Sequence, residues 1–111
     1  MKDNMTLNKY QIEALKTSIP TCESYSYLAL AICGEAGEVA EKIKKVIRDK
    51  NGQFFSPDLT GIALELGDVL WYLSVMAKKL GFTLEEIANL NLEKIKTRIE
   101  HGTLHGSGDK R

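Results

Sequence analysis

No charge of one sign dominates this sequence. Fifteen basic residues offset fifteen acidic ones, so no global field draws the chain to a nucleic-acid polymer or an anionic membrane surface, and any anion it binds must be held by a local cluster. Cysteine is scarce: Cys22 and Cys33 lack metal-ligand spacing, and Cys33 falls in a helical apolar pattern as a small core residue, which fits a reduced, cytoplasmic setting. The N-terminus has no apolar h-region, and no apolar run is expected to reach the roughly 18 residues of a membrane span, so no membrane partner is expected. Strand-like alternation, internal repeats and low-complexity blocks are absent as well. A chain of 111 residues is expected to form one domain, residues 1–111, with a modest core.

What remains is helical periodicity, and it divides the chain into four segments. Leu7, Tyr10, Ala14 and Leu15 recur at helical steps from about Thr6 to Ser18, where Pro20 ends the pattern. A long second segment runs from about Glu23 to Lys50 through Leu28, Ile32, Ala36, Val39 and Ile43, and stops at Asn51-Gly52, a favoured helix end. The third begins with Ser56 or Asp58 as its cap, runs to Leu80 and stops at Gly81. It is apolar nearly all round, because Leu66, Leu70 and Leu73 occupy faces other than that of Leu64, Trp71 and Val75. One partner helix cannot cover it, so at least a dimer is expected. Thr83 and Glu86 form a capping box for the fourth helix, from Leu84 to about Glu100. The last residues, 102–111, have a glycine-rich composition without a period and read as a flexible tail. The expected fold is all-α, a bundle-like protomer with long helices two and three antiparallel.

Two of these helices carry acid pairs where apolar residues belong. Glu35 and Glu38 sit at i and i+3 in helix two, Glu65 and Asp68 likewise in helix three, so each pair projects from one face. One such pair is commonplace on a solvated helix surface. Two pairs on neighbouring antiparallel helices, one of them within an apolar stripe, need a partner, since unpaired buried carboxylates are costly. With His101 and His105 beyond the last helix, the Glu-x-x-His signature of di-iron bundles is missing, and four carboxylates without imidazole or thiolate favour Mg²⁺, or Mn²⁺. Mg²⁺ usually binds together with substrate phosphates, and basic candidates for those are present: Lys42 and Lys45 on the Glu38 side of helix two, and a strip of Asn91, Lys94 and Arg98 on helix four. Trp71 and Tyr72 read as core residues in preference to a base-stacking platform.

Three stretches carry a family resemblance: Gly34-Glu35-Ala36-Gly37-Glu38, Glu65-Leu66-Gly67-Asp68-Val69-Leu70-Trp71-Tyr72-Leu73, and Asn91-x-x-Lys94-x-x-x-Arg98. In order and spacing they resemble the motifs of the MazG-like all-α nucleoside triphosphate pyrophosphohydrolases, and the tail from Gly106 to Arg111 is similar to the ends of the small, single-domain, phage-like branch. The resemblance implies a homodimer or homotetramer that uses Mg²⁺ to cleave a nucleoside triphosphate between its α and β phosphates. It further implies Glu35, Glu38, Glu65 and Asp68 as metal ligands, with Glu38 also orienting the attacking water, and Asn91, Lys94 and Arg98 as phosphate ligands. Two other readings compete: a related phosphoribosyl-ATP pyrophosphohydrolase, and a non-catalytic helical dimerisation module with exposed acid pairs.

Overall fold

A computed structural model describes residues 4–20 and 24–102. The expectations for Cys22, His105 and the tail beyond Gly102 fall outside these residues. Within them the chain forms helices only: α1 (Leu7–Leu15), α2 (Tyr25–Lys50), α3 (Ser56–Leu80) and α4 (Leu84–Glu100).

Each helix end has a local cause. Thr6 and Ser24 cap α1 and α2 by accepting hydrogen bonds from the backbone N–H groups of Lys9 and Tyr27, which satisfies donors that the first turn leaves open. The capping box of α4 is reciprocal, with Glu86 N–H donating to Thr83 Oγ1 (3.1 Å) and Thr83 N–H donating to Glu86 Oε1 (2.9 Å). Neither Ser56 nor Asp58 is the cap residue of α3. Phe55 holds that place, and Asp58 reaches back from the third position to accept its N–H at 3.0 Å. Asn51 (φ 54°) and Gly81 (φ 88°) end α2 and α3 in the left-handed region, as Asn and Gly commonly do.

α2 and α3 pack antiparallel, and their cross-helix contacts step in opposite directions along the two chains. Lys50 Nζ donates to Asp58 (2.6 Å), Lys42 lies 3.9 Å from Glu65, the Tyr27 and Tyr72 rings are 6.5 Å apart, and Tyr25 Oη reaches the Lys79 carbonyl at 3.4 Å. α1 crosses the junction of α3 and α4, held there by Gln11. This side chain is 5% exposed, and its amide nitrogen donates to the carbonyls of Ser74 (3.1 Å) and Phe82 (3.2 Å) while its oxygen accepts from Leu84 N–H (3.0 Å). Next to it, Asn8 accepts from Glu85 N–H and donates to the Glu85 carboxylate.

The apolar core of a single chain is small. Among the described residues only Ala14, Leu28, Val46, Val75, Ala77 and Leu84 are buried apolar side chains, whereas Leu30, Leu64, Leu66, Leu92 and Ile99 are each more than half exposed. The accessible surface is 8230 Å², against about 6,100 Å² for a compact monomer of this mass, and the radius of gyration is 16.9 Å, against about 13 Å. Cys33, expected in the core, is exposed, since α2 shows that face to no other described element. α3 is long and apolar enough to cross a membrane by length and composition, with a mean hydropathy of 1.3 over its best window, although Glu65 and Asp68 interrupt its apolar run.

Gln11 offers a test of how α1 is held. Gln11→Ala removes its three hydrogen bonds and leaves buried backbone groups without them, so the chain should lose on the order of 1–3 kcal/mol in urea or thermal melts. Gln11→Glu keeps the shape but turns an acceptor toward two carbonyl oxygens. It should be worse at pH 7 than Gln11→Ala and recover partly on acidification, and melts unchanged from wild type would show that α1 is not held this way.

Candidate active site

The stripe of α2 that faces α3 runs through Leu28, Ala31, Ile32, Glu35, Val39, Ile43 and Val46, all at least half-buried, while Ala36 and Ile47 point outward. The facing stripe of α3 runs through Asp58, Gly61, Ile62, Glu65, Val69, Tyr72 and Met76. Glu35 and Glu65 therefore occupy seam positions that belong to apolar residues elsewhere along both helices. Asp68, one turn past Glu65, is more exposed.

Glu35, Glu65 and Asp68 each offer a carboxylate oxygen, and these oxygens lie within 4.8 Å of one another. Mutual repulsion is the electrostatic signature of such a trio. The Glu35 carboxyl is held above its ordinary range, first by desolvation and then by the charges of Asp68, Glu65 and Glu38. Tyr10 on α1 is raised as well, by burial and by Asp68. Glu38 is exposed and outside the trio, and it acts on Glu35 from one turn along α2.

The basic candidates are distributed unevenly. Lys42 lies over Gly61, with Nζ 3.8 Å from where a Cβ would stand, and pairs with Glu65 at 3.9 Å. Lys45 is exposed among the acids of the outer face, where its charge acts on Glu41 and Asp49. Asn91 and Lys94 are exposed on α4, but Arg98 is 7% exposed, so the strip is not a single solvated ridge. Among the described residues α4 packs on α1 and α3 and not on α2.

Trp71 and Tyr72, read from the sequence as core residues in preference to a base-stacking platform, are not among the buried core. A cavity of about 370 Å³ opens beside the trio, lined by Glu35, Asp68, Trp71 and Tyr72, near the lower end of the roughly 300–1,000 Å³ of small-molecule sites. Trp71 and Tyr72 are half-buried and pack edge to face at 4.8 Å and 84°. The signal was present in the spacing, since Trp71 and Tyr72 follow Asp68 by three and four residues and so share its face. A larger cavity of about 480 Å³, lined by Leu15, Ser18, Val75, Lys78 and Lys79, holds no carboxylate among these residues.

A sequence profile described as "MazG nucleotide pyrophosphohydrolase domain" matches residues 23–103, which include both acid pairs and the α4 strip. The chain belongs to the MazG nucleotide pyrophosphohydrolase family. It is also similar to the "Gene 37 protein" of Mycobacterium phage L5, with 38% identity over 114 residues that cover 96% of this chain and the whole of that protein. No solved structure matches.

The trio fits the divalent metal that the family implies. Its donors are all hard carboxylate oxygens, and desolvation, joined by the charges of Asp68 and Glu65, holds the Glu35 carboxyl above its ordinary range. Because folding raises the Glu35 pKa, protonated Glu35 favours the folded chain. That contribution is fully present below the ordinary value of 4.5 and is lost as pH rises through the raised value. Glu35→Gln, neutral throughout, should therefore melt at or above the wild-type temperature at pH 7 without metal, and should show a smaller stabilisation by millimolar Mg²⁺. A wild-type chain that millimolar Mg²⁺ or Mn²⁺ does not stabilise would remove the metal from this site.

Proposed function

We propose that this chain hydrolyses nucleoside or deoxynucleoside triphosphates between the α and β phosphates, yielding the monophosphate and pyrophosphate, with Mg²⁺ as cofactor and Mn²⁺ as a substitute. The observation that carries the reading is the junction of an all-carboxylate trio with an aromatic-walled cavity of nucleotide-compatible size, in a chain of the MazG family.

In this reading Glu35, Glu65 and Asp68 hold the metal, with Glu38 completing its shell. When bound, the ion supplies Lewis-acid stabilisation of the charge that develops on the phosphates. Glu38, exposed one turn from Glu35, orients the attacking water and accepts its proton. Lys42, beside Glu65, would donate to a substrate oxygen, and Lys45 adds positive charge on the outer side. Asn91, Lys94 and Arg98 hold phosphates.

A homodimer or homotetramer also accounts for the exposed leucines of α2 and α3, each of which is worth about 1.5–3 kcal/mol when fully buried. The cytoplasm, where nucleotides and Mg²⁺ are available, is the compartment we assign. Light scattering at micromolar concentration should give at least a dimer, and a monomeric mass would leave Leu30, Leu64 and Leu66 without a covering partner.

A panel of canonical and modified triphosphates with Mg²⁺ should release pyrophosphate, and release of orthophosphate alone would exclude the reaction. Two variants separate the roles. Asp68→Asn should weaken metal affinity and regain turnover with excess Mg²⁺ or Mn²⁺. Lys94→Ala should lower kcat/KM by an amount on the order of 1.5–3 kcal/mol, with no repair by extra metal. Lys94 is the cleaner choice over Arg98, whose burial makes its substitution a test of folding as well. Metal rescue of Lys94→Ala but not of Asp68→Asn would reverse the two assignments.

A further inference from the structure

Of the residues at the candidate site, Trp71 is fixed from outside the two acid-bearing helices. Its indole N–H donates to Thr17 Oγ1 at 2.8 Å, and the Thr17 hydroxyl in turn donates to the Ala14 carbonyl at 2.7 Å. The direction of this relay is forced, because an indole N–H can only donate and a threonine hydroxyl has a single proton. With that proton on Ala14, the lone pairs of Oγ1 face Trp71. The indole is held a second time by Tyr72, which meets it edge to face. Rotating the ring away from the cavity therefore costs both a hydrogen bond and an aromatic contact.

The cavity that this ring walls has two kinds of lining. Glu35 and Asp68 supply carboxylates, and Trp71 and Tyr72 supply aromatic rings. Carboxylates with a cation can serve a polyphosphate, but an indole face has nothing to offer one. A flat aromatic surface suits a planar, weakly polar group carried by the same ligand.

We propose that Trp71 is the wall against which the nucleobase of the substrate stacks, and that Thr17, in the turn that follows α1, is the positioning residue that holds the indole in place. The proposal rests on the nucleotide reading of the site and extends it. The metal trio on α2 and α3 reads the phosphates, which every triphosphate shares, whereas base selection is delegated to α1 through one hydroxyl.

Trp71 is the sole tryptophan of the chain, so its fluorescence reports on this wall alone. With Mg²⁺ present, a non-hydrolysable α,β-imido deoxynucleoside triphosphate should quench it, while inorganic tripolyphosphate, which has the phosphates but no base, should not. In steady-state kinetics, Thr17→Val should raise KM by about three- to tenfold with kcat within about twofold of wild type. Thr17→Ser, which keeps the hydroxyl, should restore wild-type KM, and Trp71→Leu should raise KM by about tenfold or more. Thermal melts of each variant establish that it is folded. Equal quenching by tripolyphosphate, a wild-type KM in folded Thr17→Val, or a KM defect that Thr17→Ser shares would overturn the proposal. If no triphosphate is turned over, the hydrolase reading fails, and dissociation constants from the same fluorescence titrations replace KM in deciding whether Trp71 contacts the base.

Discussion

Repulsion between carboxylates at the α2–α3 seam is the constraint on which the site depends. Antiparallel packing of two long helices leaves one stripe on each facing the other, and that stripe contains Glu35 on one side and Glu65 on the other, with Asp68 at its edge. Apolar neighbours along the seam, Val39, Ile43, Ile62 and Val69, hold the two helices at a separation the acids would not choose. The charges are thus brought together by packing, and their unfavourable energy without a cation becomes part of the affinity for one.

α1 connects this seam to the rest of the chain. Its N-terminal half is bound to the α3–α4 junction through Asn8 and Gln11, and its end touches Trp71 through Thr17. Both ends of the short helix therefore act on α3, one on the turn that leads into α4 and the other on the wall of the acid cavity. A helix of nine residues is too short to be stable by itself, so its order depends on these tertiary bonds, and the order of Trp71 depends on it in turn.

Much of the fold was legible because its signals are local. Thr83 with Glu86, Asn51 and Gly81 mark helix ends through capping and backbone conformation, which need no knowledge of the remaining chain. The acid pairs were legible as well, since the three-residue spacing fixes a shared face. What periodicity could not reveal is which face a neighbour covers. It places Ala36 on the inward stripe where Glu35 lies, places Cys33 in a core that one chain does not build around it, and gives no sign that Arg98 is buried while Asn91 and Lys94 are exposed. Trp71 and Tyr72 read as core for a related reason: half-buried aromatics at the mouth of a cavity have the same spacing as core residues.

Lys42 adds a consequence at the opposite edge of the trio. Its ammonium, tethered across Gly61 and 3.9 Å from Glu65, is a built-in monovalent counter-ion. On the proposed metal reading, loading of the site would be an exchange of cations and not a simple addition. A sodium or potassium ion offers Glu65 no more charge than Lys42 already provides and has no covalent tether to offset the loss of translational freedom. A doubly charged ion would offer more, and the lysine it displaced would be freed beside the site. One flexible side chain would thereby discriminate by valence before coordination geometry came into play.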